Sequence, residues 1–296
     1  AAHQENIPVV IVAGWMVHQN EHAEMFRFFP AHNIERPLNR LAGRLYPRWV
    51  YTFKGSTMLR LPAAHIFARE LLGIAPPLPW TLHSGQADAI AVECEAARVA
   101  ALKEGLLQEQ VVVTGSINHD LMASVRLKGA AGRAELYREL GLPDDDRPML
   151  LTALTPDEFY RSESFPECDF RNYDDLVRFW IRSLLEVPGW NIVVCLHPSA
   201  VYDDVKYIEQ WGVRISRRHT AELIALCNLY VASVSTTIQW ATACGTPVVN
   251  YDVYRCRLQD FTGIPGVVTM EEQEEFRAVL RRIMDDRDYY DALASH

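Results

Sequence analysis

From about residue 148 onward, short apolar runs alternate with amphipathic stretches: MLLTAL, YDDLVRFWIRSLLEV, NIVVCLH, VYDDVKYIEQW, GVRIS, AELIALC, LYVAS, TTIQWATAC and PVVNY. The short unbroken runs suit strands buried on both faces, and the longer segments with apolar positions every three or four residues suit helices. This alternation predicts a parallel sheet with helices on both faces. The tail GVVTMEEQEEFRAVLRRIMDD adds one more strand and helix, so residues 119–296 are expected to form a complete doubly wound domain.

Residues 1–118 follow a different pattern. Only IPVVIVAG, ADAIAVE and QVVVTG read as strands, while residues 36–73 look mainly helical. Sheets average about five or six strands, so this first domain is expected to be Rossmann-like and incomplete. A trimmed chain would explain that, and so would a partner or a second copy pairing with the open edge. The junction is expected at Gly115 to Asn118.

The stretch VASVSTTIQWATACGTPVVNY, residues 231–251, carries the strongest chemical signal. It reads as strand, tight turn, helix, Gly stop and strand, which puts Ser233, Ser235, Thr236 and Thr237 where a strand feeds a helix N-terminus. Free N–H groups, the positive end of the helix dipole and hydroxyls together favour a phosphate there without a metal. A simpler reading is that the hydroxyls only cap the helix.

Composition narrows the function classes. The 296 residues are 49% apolar and carry a net charge of −9, which supplies a packed core and argues against a nucleic-acid partner. The six cysteines form no CxxC pair and read as reduced, buried thiols. No apolar run approaches the ~18–20 residues needed to cross a bilayer. The start AAHQENIP has neither an initiating Met nor the character of a signal peptide, so the cytoplasm, including its membrane surface, is the expected location.

The order ADAIAVECEAARVAALKEGLLQEQVVVTGS, MLLTAL, NIVVCLHPS and RRHTAELIALCNLYVASVSTTIQWATACGTPVV, over roughly residues 88–251, resembles the GT-B glycosyltransferases and the related UDP-N-acetylglucosamine 2-epimerases. The resemblance implies an α/β fold of two Rossmann-like domains facing a cleft, with a nucleotide sugar held by the C-terminal domain. The Ser233 to Thr237 turn would then hold the donor phosphates. The sequence departs from the family where an acid five residues before Gly would bind the ribose, because that position is Trp240. Trp240 either stacks on a base or sugar or belongs to the core. The paired acids of the epimerase turn are also missing from SVSTTIQW.

Other candidates lie at strand ends, where ligands bind in such sheets. His197, in CLHPS, is a candidate donor to a phosphate. In LTALTPDEFYRSES, Thr155 and Arg161 are candidates, Arg161 through its planar fork. In GWMVHQNEH, His18, Glu21 and His22 are expected in a loop, with His18 the first and Glu21 the second choice for a base that activates an acceptor hydroxyl. Residues 35–49 are expected to form a helix with Leu38, Leu41 and Leu45 on one face and Arg36, Arg40 and Arg44 on another, solvated or facing an anionic glycan, lipid headgroup or partner. The expected activity is transfer from a nucleotide sugar, UDP-linked by resemblance, to a glycan or lipid-linked acceptor, with no metal or cofactor. A nucleotide-sugar 2-epimerase and a non-catalytic binding subunit are the alternatives.

Overall fold

The computed structural model describes residues 5, 7–12, 19–81, 85–143, 147–160, 165–258 and 261–295, without the side chains of Glu21 and Met25. The chain divides into two compact units, Ala1–Ser116 and Ile117–His296.

In the second unit every sequence-predicted strand is present: β6 (Met149–Ala153), β7 (Asn191–Cys195), β8 (Arg214–Ser216), β9 (Leu229–Ala232), β10 (Val248–Tyr251) and β11 (Val267–Met270). All their pairings are parallel, in the order β8-β7-β6-β9-β10-β11. Numbered within the unit this is 3-2-1-4-5-6, the order of the dinucleotide-binding folds. The strands are unbroken apolar runs because both faces are covered. Leu150, Val194, Val231 and Val249 point into a core with Trp180 and Phe276, from α6 (Tyr173–Leu185) and α10 (Gln273–Asp285). Leu151, Val193, Tyr230 and Val248 point the other way, toward Leu136, Leu223 and Ile238 of α5 (Ile117–Leu140), α8 (Thr220–Ile224) and α9 (Thr237–Ala243). Helix α5 is broken at Gly129, whose φ of 50° and ψ of −130° are not helical.

The first unit holds the three predicted strands, β1 (Val10–Val12), β4 (Ala89–Val92) and β5 (Val111–Val113), as a parallel sheet in the order β1-β4-β5. Val10, Val12 and Val112 are exposed. Registers pair Val12 with Ala91 and Ala91 with Val112, so these side chains share one face.

One expectation for this unit needs correction, and two features were not foreseen. Residues 36–73 are mainly helical, through α2 (Pro37–Leu45), a short turn of helix at Pro47–Trp49 and α3 (Ala63–Leu71), but between the two longer helices lies an antiparallel hairpin that was not expected, β2 (Val50–Phe53) and β3 (Ser56–Leu59). Its turn is Lys54-Gly55 with φ of 45° and 75°, the left-handed pair that matches strand twist in a two-residue hairpin. Glu21 and His22 are not in a loop but on α1 (Gln19–Phe26), whose first amide, Gln19 N–H, donates to Glu104 Oε1 at 2.9 Å. On helix α2 the leucine face is open, with Leu38, Leu41 and Leu45 53%, 49% and 57% exposed, while Asn39, Ala42 and Gly43 face inward. Asn39 explains the rotation: its Nδ2 donates to the carbonyls of Ala31 and Asn33, each at 2.8 Å, and its Oδ1 accepts Ala63 N–H at 3.1 Å.

Candidate functional site

The order of the second sheet reverses between β6 and β9, and open parallel sheets bind ligands at the carboxyl ends of the strands flanking such a point. The turn after β9 is the hydroxyl-rich turn. Strand β9 is wholly buried, and the chain leaves it through Val234, whose φ of 42° is a strained value for a β-branched residue. Two contacts hold the bend: Val234 N–H donates to Asn250 Oδ1 at 2.8 Å, and Ser233 Oγ accepts Val253 N–H at 3.4 Å.

The four hydroxyls are not equivalent. Thr237 Oγ1 lies 2.5 Å from the buried Tyr230 hydroxyl and 2.6 Å from Ser235 Oγ, which also accepts Thr237 N–H at 3.3 Å. Ser233, Ser235 and Thr237 therefore shape the turn. Thr236 is the N-cap residue without a side-chain cap bond, and its N–H and that of Ser235 meet no acceptor among the described residues. Helix α9 ends at a Schellman motif, with Gly245 at φ 66° and Thr246 N–H donating to Ala241 O at 2.9 Å. Trp240 is half-buried on α9, packed on the core and tilted against the His219 ring at 5.7 Å.

His197 is exposed two residues beyond β7, at the same edge of the sheet. Its Nδ1 accepts Ser199 N–H at 3.2 Å and lies 2.7 Å from Ser199 Oγ. That assigns the ring proton to Nε2, an outward donor. Strand β6 separates β7 from β9, so the two strand ends stand about 10 Å apart. Thr155, past the end of β6, is buried, and its carbonyl accepts the Tyr173 hydroxyl at 2.8 Å. Ser235, Thr236, His197 and Thr155 thus share the carboxyl edge. His18 and Arg161 lie outside the described residues, as does the side chain of Glu21.

Sequence reasoning missed the wall behind the turn. The buried Asp252 accepts the amides of Cys256 at 3.0 Å and Arg257 at 2.7 Å, in a loop where Arg255 and Arg257 both take φ of 51°. Arg255 pairs with Asp169 and Glu272, and Arg257 with Glu167 and Glu271. Beside this loop Phe159, Phe165, Phe170 and Tyr254, with Glu158 and Arg171, line a cavity of about 220 Å³, below the ~300 Å³ at which small-molecule pockets begin. The signal available in sequence was NYD directly after an apolar run. The thiols also depart from expectation: all six cysteines are free, but Cys94 is exposed. Burial pushes Cys195 up to about 12, which makes it a poor nucleophile.

No protein-family model matches the chain, and no curated protein matches it. Among solved structures it is similar to S. aureus MnaA in complex with UDP, at 14% identity and a TM-score of 0.53 over 99% of this chain and 63% of that one. It is similar to the H548A variant of the wall teichoic acid polymerase TagF, at 12% identity and a TM-score of 0.51 over 83% and 57% of the two chains. The chain has a GT-B-type fold. UDP-GlcNAc 2-epimerase from Neisseria meningitidis bound to UDP-GlcNAc is a further match, at 18% identity and a TM-score of 0.45 over 70% of this chain and 55% of that one. The chain spans between 55% and 63% of the length of these structures. Among the described residues no helix is long and apolar enough to cross a membrane.

Proposed function

We propose that the second unit binds a nucleotide sugar and that the chain belongs to a GT-B-type glycosyltransferase of surface polysaccharide or glycoconjugate synthesis. The observation that carries this reading is the placement, on the carboxyl edge beside the switch point of a 3-2-1-4-5-6 sheet, of two turn amides, at Ser235 and Thr236, that meet no acceptor among the described residues and of the exposed His197 with its proton on Nε2. Three neutral donors aimed at one edge suit the growing negative charge on a departing diphosphate. A GT-B structure solved with UDP supports the choice of a uridine nucleotide.

The reaction on this reading is displacement at the anomeric carbon. The acceptor oxygen forms its bond to that carbon as the bond to the diphosphate oxygen breaks, and the bond electrons leave with the diphosphate. The Ser235 and Thr236 amides and His197 stabilise that leaving group without a metal. The acceptor proton passes to a base in the first unit, for which His18 and Glu21 remain the candidates. A glycan or lipid-linked acceptor, self-association and action at the cytoplasmic membrane surface belong to the same proposal.

Calorimetry with UDP in EDTA tests the donor site. Thr236→Asp sets a negative charge beside the phosphates and leaves the Thr237 to Tyr230 contact intact. It is expected to weaken binding more than tenfold, or ~1.4 kcal/mol. Unchanged affinity sinks the assignment. Incubation with UDP-N-acetylglucosamine and no acceptor then separates the chemistries: slow hydrolysis fits a transferase, a new nucleotide sugar fits an epimerase, and no turnover with tight binding fits a binding subunit.

A further inference from the structure

Arg60, one residue beyond β3, is a half-buried cation with no ion-pair partner among the described residues. Its guanidinium carbon lies 4.7 Å from the centre of the Phe26 ring and 5.9 Å from that of Trp80. The His32 ring stacks on Phe26 at 4.5 Å, and the His22 ring stands 6.3 Å from it. Two rings therefore pack close to the guanidinium, and its N–H groups meet no acceptor among the described residues. The carboxylates nearby are already engaged. Glu24 binds Lys54 at 2.8 Å and Arg27 at 2.5 Å, and Glu104 accepts the Gln19 amide.

The surroundings are tuned to this charge. Burial pulls the guanidinium pKa down, and burial together with the Arg60 charge lowers His22 to about 4. His32 is lowered by burial and by Arg60 against the opposing effect of its Nδ1 contact to Leu59 O at 2.8 Å. Both imidazoles are neutral near pH 7, so Arg60 supplies the positive charge beside them. Stacking on a ring returns about 0.5–2 kcal/mol, and a desolvated cation still lacks its ionic partner. The donors left open form a planar fork that fits two oxygens of one group.

We propose that Arg60 anchors an oxyanion-binding subsite in the first unit, flanked by His22 and His32, which takes a carboxylate or phosphate group. Within the transferase proposal, on which this step rests, that oxyanion belongs to the acceptor. The acceptor class is then an acidic saccharide or a phosphate-bearing glycan or lipid.

The test titrates the full chain with inorganic phosphate, with glucuronate, and with chloride at matched ionic strength, following arginine Nε–H resonances and heat. A saturable response to phosphate or glucuronate, absent with chloride, is expected, and the tighter of the two names the source. Arg60→Met is expected to abolish the response and Arg60→Lys to weaken it at least fivefold. No saturable response in the unvaried chain overturns the subsite. So does wild-type affinity in a folded Arg60→Met chain or, should that variant not fold, in Arg60→Lys. UDP binding by the unvaried chain, measured separately, reports on the donor site, so each proposal fails by its own readout.

Discussion

Val234 stands in a backbone region that costs an ordinary residue about 1–2 kcal/mol. Asn250 holds it there, with Oδ1 on the Val234 amide and Nδ2 donating to Thr269 Oγ1 at 3.2 Å. Asn250→Ala removes both bonds, and urea unfolding of the second unit is expected to show a loss of ~1–3 kcal/mol. UDP affinity should fall with it, because the turn is free to leave its strained form; a variant with wild-type stability and affinity would separate the bend from the site. The sequence displayed the hydroxyl cluster because strand, turn and helix signals bracket it. It did not show which hydroxyls point inward, since that depends on the side to which Tyr230 of the same strand points and on Asn250, a neighbour only across the sheet. Arg60 escaped notice for a related reason: a single arginine between two leucines has no periodic signal, and its meaning comes from Phe26 and Trp80.

At the level of elements, the second unit was legible almost strand by strand, because a sheet buried on both faces demands continuous apolar runs. Helix α2 was not. Periodicity groups Leu38, Leu41 and Leu45 on one face but does not say which face turns inward, and three hydrogen bonds from one asparagine decided it. Asn39→Ala leaves two carbonyls and one amide without their partner, and the first unit is expected to lose ~2–4 kcal/mol in thermal or urea unfolding. Leu41→Ser removes an exposed side chain and should change stability by less than ~0.5 kcal/mol. The reverse ranking would show that the leucine face, and not Asn39, holds the helix in place. The hairpin was missed because its two strands are short and sit between helices, although Lys-Gly between apolar runs is a turn signal.

For the whole molecule, the apolar clusters of the two units are built from separate residues: Leu150 and Tyr230 lie in those of the second, Ile90 and Trp49 in those of the first. A fragment of residues 117–296 is therefore expected to fold and to bind UDP within tenfold of the full chain; an unfolded fragment would make the second unit dependent on the first. Acid should act on the first unit through His22. Its folded pKa, about 4, lies below the ordinary histidine value of 6.5, so the unfolded chain takes up protons first. The stability linked to this group is present above about 6.5 and is lost as pH falls toward about 4, with His32 acting in the same direction. His22→Gln should flatten the pH dependence of the first unit's melting over that window, as calorimetry at stepped pH would record.

The strand order also sets a schedule for synthesis. Strand β6 lies at the centre of its sheet and pairs on one side with β9, Leu150 against Leu229, a separation of 79 residues bridged by the Thr152 hydroxyl to Val231 carbonyl bond. A chain made from its N-terminus at ~5–20 residues per second carries β6 for roughly 4–16 seconds before that neighbour exists. Throughout that interval the nascent sheet has an apolar inner edge open to any other strand. The crevice that defines the candidate site is therefore also the seam at which the two halves of the sheet join, and the interval in which a chaperone or a foreign strand can reach it is fixed by the distance between MLLTA and LYVA.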